Sequence, residues 1–188
     1  MSTAEFEAGW LGYRASSEHA EPVNLPMHTP GRHLNNIRKS TNWASADNPE
    51  GKIKMFEVKN QGGCGSCWAF AVTSTLEGTL AIKTKKDPFR ISEQQGVDCT
   101  LAADRGGGYN KKHFGDAYRD YDCWGCSGCW MRNHFNFLKD HGAMRESDYR
   151  YEAKELKECK HDFDNIVGKV DFYEQIRNSV DAMKERVA

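Results

Sequence analysis

The chain has no excess of charge of either sign and no long apolar run, and each of these absences excludes a kind of partner. In its 188 residues, 26 basic side chains balance 27 acidic ones to a formal net charge of −1. This balance offers no electrostatic attraction for nucleic acid or an anionic membrane, and no apolar run approaches the roughly 20 residues of a membrane-spanning helix. We therefore expect one soluble core with no nucleic-acid partner, no membrane span, no metal and no cofactor.

The N-terminus lacks the basic and then apolar pattern of a secretory signal peptide. Seven cysteines are present, however, and an odd number leaves one unpaired if the others form disulfides. Disulfides require an oxidising compartment. The cysteines thus favour a secretory route on which a signal peptide is removed or replaced, whereas the N-terminus leaves a cytosolic location open.

A glycine-rich turn that leads into a helix is the most informative stretch of the sequence. Residues 61–70 read Gln-Gly-Gly-Cys-Gly-Ser-Cys-Trp-Ala-Phe, and a mostly apolar helical pattern continues to about Lys83. The turn would place Cys67 at the helix N-terminus, which favours the reactive thiolate. Gln61 would donate an N–H to an oxyanion that develops near the sulfur. A buried structural cysteine is the alternative, and it does not easily explain the whole run.

Residues 61–70 resemble the active-site segment of papain-like cysteine proteases, the cathepsin group, whose local signature is C-G-[SA]-C-[WY]. Residues 91–99, Ile-Ser-Glu-Gln-Gln-Gly-Val-Asp-Cys, are similar to the L-S-E-Q-x-L-V-D-C helix of that family. Residues 125–128 are similar to its G-C-x-G-G loop, and residues 148–151 to its Y-P-Y turn. Trp43 stands where the family has D-W-R, so the resemblance runs from about Trp43 to the end of the sequence.

The resemblance implies an α+β fold that is the mainly helical left domain of a papain-like protease, with the right β domain largely absent. Residues 1–39 would be an irregular N-terminal extension, residues 40–165 the left domain, and residues 166–188 a crossing strand and helix. The alternation over 166–172 predicts that strand, and apolar spacing from 173 to 187 predicts the helix.

Three helices are expected within the left domain. The first begins at Cys67, the second begins at Ser92, with Gln95 completing a capping box, and the third covers 130–141 with Gly142 as its left-handed stop. Residues 100–125 form a long insertion between the second and third, and we expect a loop of that length to be functional or mobile.

The resemblance also assigns the disulfides and the free thiol. It pairs Cys64 with Cys126 and Cys99 with Cys159, and it leaves Cys67 as the nucleophile. Cys123 and Cys129 remain; they flank Cys126 symmetrically, so we expect a third bridge between them. The alternative is a metal or redox motif in 123–129, since C-x-x-C spacing suits zinc and dithiols, although a zinc site needs four ligands and a second such pair is absent.

Substrate contacts follow from the same resemblance. They are expected at Gly65 and Ser66, beside the nucleophile, and at residues 128–131 (Gly128, Cys129, Trp130 and Met131). Cys129 replaces the second glycine of the family's Gly-Gly pair, and its Cβ would crowd a peptide backbone. Trp130 and Met131 would line a pocket that prefers apolar side chains, or they are ordinary core positions at a helix start.

No catalytic histidine is assigned. In the family the cysteine is paired with a His and an Asn about 130–150 residues downstream, whereas Ala188 lies 121 residues after Cys67. The histidines present resemble no such motif: His19, His28, His33, His113, His134, His141 and His161. His134 and His141 share a helix face and are expected at the surface or partly packed.

Two functions remain open. The chain is a fragment or subunit of a cysteine peptidase that acts on peptides or proteins once complemented, and is inactive alone; or it is a non-catalytic structural or interaction subunit. In either case we expect a protein partner on the exposed interdomain face. The family and the cysteines favour a lysosomal, vacuolar or extracellular location, with a cytosolic or assembly-bound one still open.

Overall fold

A computed structural model describes residues 26–28, 39–115, 118–119, 121–156, 158–176 and 178–187. In chain order its helices are α1 (Cys67–Thr84), α2 (Glu93–Cys99), α3 (Gly108–Phe114), α4 (Met131–Asp140) and α5 (Val180–Val187). Three short 3₁₀ turns lie at Ala103–Arg105, Gly125–Ser127 and Phe163–Asn165. The strands are β1 (Met27–His28), β2 (Ala143–Met144), β3 (Ile166–Gly168) and β4 (Gln175–Ile176). The described chain is therefore mainly helical with little strand, as the sequence predicts.

Helix α1 is the central element. Its residues Ala69, Val72 and Leu76 recur at three- and four-residue spacing and are buried, which is the stripe that an amphipathic helix turns toward a core. Both α2 and α4 pack against it. The helix ends at Thr84, with Lys85 as its left-handed cap, and the buried ammonium of Lys54 donates to the carbonyls of Ala81 and Lys86 at 3.0 Å each. A cation at the C-terminus of a helix is favourable because the unpaired carbonyls there carry partial negative charge.

Helix α2 is buried along its whole length and forms half of the predicted capping box. The Ser92 hydroxyl accepts from the backbone N–H of Gln95 at 3.0 Å. The reciprocal bond is not made, because the Gln95 amide accepts from Met144 N–H at 2.9 Å and donates to Gly142 O at 3.1 Å. The Ser92 N–H donates to the Met144 carbonyl instead. Gln95 thus joins α2 to β2. The capping-box prediction is confirmed for the Ser92 hydroxyl and wrong for the Gln95 side chain.

The third helix ends as expected. Helix α4 covers Met131–Asp140, and Gly142 has φ +85°, a left-handed conformation in which a Cβ would also lie 2.6 Å from Ile166. The long insertion is folded where it is described. Its α3 residue Phe114 and its Tyr121 are buried in the main core beside Phe137 of α4.

The surface expectation for two histidines is wrong. His134 is fully buried and His141 is 7% exposed. His134 lies against Gly96 of α2, where a Cβ would stand 2.6 Å from its ring. The space that admits the imidazole is therefore created by a residue 38 positions earlier.

The crossing segment contains the predicted strand and helix, but its helix is shorter than expected. Strand β3 pairs antiparallel with β2, and β4 pairs parallel with β1. Residues Gln175–Ile176 are therefore extended, and helix α5 begins only at Val180. The expected irregular arm over 1–39 falls outside the described residues except for 26–28 and 39.

Candidate active site

Cys67 is the first residue of α1 and the one free cysteine, with an exposed side chain. The other six form the three expected disulfides, Cys64–Cys126, Cys99–Cys159 and Cys123–Cys129. The turn before Cys67 is fixed to the 125–129 loop, because Gly65 N–H donates to Cys126 O at 2.9 Å next to the Cys64–Cys126 bridge. The thiol is therefore held at a helix N-terminus by covalent and backbone contacts, while its sulfur remains accessible.

Gln61 shares a cleft with Cys67, as the sequence suggests. The cleft has a volume of about 660 Å³. The Gln61 amide nitrogen donates to the Cys64 carbonyl at 2.9 Å, which orients the side chain along the turn. Most of the remaining wall is apolar, formed by Ala44, Met55, Phe56, Val58, Phe70 and Ala71. The cleft therefore contains an exposed thiol and an oriented amide donor. Attack of a thiolate on a carbonyl uses the first as the nucleophile and the second as the donor to the oxyanion.

Tyr151 ties the two sides of this turn together, a role that its sequence context does not predict. Its hydroxyl donates to Gln61 O at 2.8 Å and lies 2.5 Å from the Ser66 hydroxyl. Burial raises the Tyr151 pKa, and the bond from Ser66 partly opposes that rise. The partners are 85 and 90 positions away, so no local pattern relates them to Tyr151.

Lys59 anchors the segment that leads to Gln61. Its ammonium lies 2.7 Å from Glu77 of α1 and 2.6 Å from Glu93 of α2. Glu77 also accepts from Ile91 N–H, and Glu93 from the Thr73 hydroxyl. Burial raises the Glu77 pKa despite the nearby ammonium. One cation thus holds two buried carboxylates and fixes the cleft wall on which Gln61 lies.

None of the predicted substrate-contact residues lines this cleft. Ser66 is fully buried, and its hydroxyl is hydrogen-bonded to Tyr151 rather than exposed at the surface. Gly128 is buried, and Cys129 is bridged to Cys123. Trp130 and Met131 are 36% and 50% exposed. The 125–129 loop is linked to α1 by Trp68, whose indole N–H donates to Gly125 O at 3.2 Å.

None of the histidines in the described ranges lines the cleft. The buried His134 ring lies 5.3 Å from the ring of Trp68, the residue that follows Cys67. His19 and His33 lie outside the described residues. In the same described part, no cluster of three or more His, Cys, Asp or Glu side chains is placed to hold a metal, and no helix is long and apolar enough to cross a bilayer.

Residues 39–188 match the family model described as papain family cysteine protease. The chain belongs to the papain family of cysteine proteases. It is 30% identical over its whole length to digestive cysteine proteinase 3 of Homarus americanus, covering 49% of that protein. It is 37% identical over 92% of its length to a cathepsin L-like proteinase of Fasciola hepatica, covering 44% of it.

The solved structure of digestive procathepsin L 3 from Tenebrio molitor larval midgut superposes on 71% of this papain-family chain with a TM-score of 0.57 and 30% sequence identity. The chain covers 38% of that structure and spans about half the length, or less, of the curated relatives given above. The comparisons therefore confirm the papain-like family and its mainly helical α+β fold for this sequence. They match a part of each relative, so the activity of the whole protein is a separate question.

Proposed function

We propose that Cys67 is the nucleophile of a cysteine peptidase and that Gln61 is a donor to its oxyanion. The observation that supports this most directly is the exposed free thiol at the start of α1 in one cleft with the Gln61 amide. The thiolate would attack the carbonyl carbon of a peptide bond, and the Gln61 N–H would stabilise the negative oxygen. Collapse of that intermediate breaks the C–N bond, leaves an acyl group on sulfur, and requires a proton on the departing amine.

The proton donor is the missing part. A papain-like mechanism takes it from a histidine oriented by an asparagine, and no described histidine lines the cleft. We therefore propose that the base and its partner lie outside these 188 residues, on a longer precursor or a second chain. The apolar wall of the cleft supports a protein partner there, because Val58 is 99% exposed and Met55 is 39% exposed.

The proposed substrate is a peptide or protein. Trp130 and Met131 are exposed and follow the 125–129 loop, whose Cys126 carbonyl accepts from Gly65 N–H, and they favour an apolar side chain near the scissile bond. Cys129 is bridged to Cys123, and its Cβ would crowd a peptide backbone that binds at this position. The three disulfides support an oxidising compartment, for which we propose a lysosomal, vacuolar or extracellular location.

The test is cleavage of fluorogenic peptides by the purified chain. We expect no turnover by the chain alone, and Cys67-dependent turnover when the C-terminal half of a papain-family relative is added. The matched control is Cys67→Ala, which keeps the fold and removes the sulfur. Robust turnover by the chain alone that Cys67→Ala abolishes would overturn the claim that the base lies elsewhere.

The alternative proposal is a non-catalytic interaction subunit. It is favoured by Cys129 at the substrate-facing glycine position and by exposed apolar side chains on α5, including Val180 and Met183. This function predicts a stable complex that Cys67→Ala leaves unchanged and a chain that shows no turnover with any added lobe.

A further inference from the structure

His134 is buried without any polar contact. It is fully inaccessible, and neither ring nitrogen has a hydrogen-bond partner among the described residues. The ring lies edge-on to Trp68 at 5.3 Å and against Gly96. The family pattern has leucine at the position of Gly96, so this chain exchanges an aliphatic side chain on α2 for an imidazole that enters from α4.

Two more histidines are buried with unpaired nitrogens at the other end of α4. Gln95 donates its amide N–H to His161 Nδ1, 2.7 Å away, so the second ring nitrogen, Nε2, carries the proton. That Nε2 has no acceptor in the described part of the chain. His141 Nε2 is buried with no partner as well, and its ring stacks on Phe114 at 4.4 Å.

The surroundings of the His134 ring are apolar. His134 faces Trp68, Gly96 and Phe137 and no charged group, and burial lowers its pKa to about 3.

The other two rings have charged or titratable neighbours. Asp140, Lys169 and Arg119 act on His141, and His141, His113 and Asp162 act on His161. Burial is the main effect for both and lowers their pKa, for His161 to about 4. These values lie below those of exposed histidine, near 6.5. Unfolding at mildly acidic pH therefore takes up a proton at His134 and at His161, and the lowered pKa of His141 acts in the same direction.

We infer that His134, His141 and His161 form an acid-sensitive switch: they leave the helical domain stably folded near neutral pH and destabilise its packing in acid. The sign follows from linkage: because the folded pKa lies below the unfolded one, the stabilisation is complete above about pH 6.5 and is lost as the pH falls toward 4. Protonation of His134 would displace Trp68, whose neighbour is Cys67. Protonation of His161 would release the 161–168 segment from α3 and α4.

This inference does not rest on the proposed peptidase activity, since it concerns folding alone. It bears on the compartment, because it requires that the folded domain works near neutral pH. Of the three compartments proposed above, this inference favours the extracellular one, because an acidic lysosome or vacuole would destabilise the folded domain.

The test is the free energy of unfolding by urea from pH 7.5 to 4.5, with disulfides intact. Below about pH 6.5, linkage predicts that the unfolding constant rises by about tenfold for each unit by which the pH is lowered, per histidine that stays neutral in the folded state. The decisive variant is Gly96→Leu with His134→Ala, which returns leucine to α2 and removes the ring. We expect proton uptake on unfolding to fall by about one in this variant.

Leu138→Ala is the control, because Leu138 is a fully buried, non-titrating residue of the same helix. It should lower the free energy of unfolding equally at every pH and leave the slope of that free energy against pH unchanged. A second variant, His161→Gln, keeps an acceptor for Gln95 and should also lose about one proton. A wild-type chain that is equally stable at pH 7.5 and 4.5, or an unchanged slope in either folded variant, would overturn the switch.

Discussion

The Tyr151 hydroxyl donates to the carbonyl of Gln61 at 2.8 Å, which joins the 148–151 segment to the turn that precedes Cys67. The same oxygen is 2.5 Å from the Ser66 hydroxyl. The geometry of Gln61 relative to Cys67 is therefore maintained by a side chain that touches neither the thiol nor the cleft. The consequence is a test that separates positioning from chemistry.

Replacing Tyr151 by Phe should lower the free energy of unfolding by about 1–3 kcal/mol, since a buried hydroxyl and a carbonyl lose their partner. It should also slow the alkylation of Cys67 under native conditions, because the Gln61 turn loosens. The control is Tyr173→Phe, whose hydroxyl bonds to Asn136 at an exposed position, and which should change stability by less than about 0.5 kcal/mol. Equal effects of the two variants would contradict the positioning role.

The cysteine framework predicts one reactive thiol. Peptide mapping without reduction should find three disulfides and alkylated Cys67 alone. A loop of 60 residues is closed by Cys99–Cys159 and one of six by Cys123–Cys129. The chain-entropy model gives about 4 kcal/mol for the longer loop and about 2 kcal/mol for the shorter. Double Ala variants of each pair, unfolded in urea, should differ in that order; a larger loss from the short loop would contradict the model.

Lys59→Met should be among the most damaging single changes, with a loss of about 3–5 kcal/mol, because it leaves two buried carboxylates without a cation. The Glu77 pKa is already raised by burial. A group with a raised folded pKa contributes stability below its unfolded pKa and loses it as the pH rises through the folded one. The deficit of the variant should therefore shrink as the pH is lowered from 7.5 to 5.5.

Lys83→Met is the matched control for that change. Lys83 pairs with Asp171 at 3.3 Å, and both side chains are more than two-thirds exposed, so its loss should be near zero at either pH. A Lys59→Met deficit that is small or independent of pH would show that the carboxylates are not held by this ammonium.

The sequence predicts what depends on neighbours along the chain. The start of α1 at Cys67, the Ser92 cap and the Gly142 stop all follow from local turn and cap chemistry. The errors have distant causes. Gln95 is bonded to the segment near Met144, and His134 is buried because Gly96 leaves space for it.

The crossing helix shows the same limit. Apolar spacing predicts a helix from 173, but Gln175–Ile176 pairs with Met27–His28, 148 positions earlier in register. A periodic pattern carries no information about such a partner. The positions of Tyr151 and Lys59 at the candidate active site are also set by long-range contacts. The local run of 61–70 therefore indicates Cys67 and Gln61 but neither of these two residues.

The exposed apolar surface gives a last prediction, which concerns association. Val58 on the cleft wall is 99% exposed, and Val180 and Met183 on α5 are 66% and 47% exposed. Exposed apolar groups of this kind favour a covering partner, so the isolated chain should bind a hydrophobic dye and self-associate in sedimentation experiments. Val58→Asp and Val180→Asp separate the two surfaces: the variant that restores a dye-free monomer identifies the face in use. A wild-type chain that is a monodisperse monomer without dye binding would exclude the need for a partner on either face.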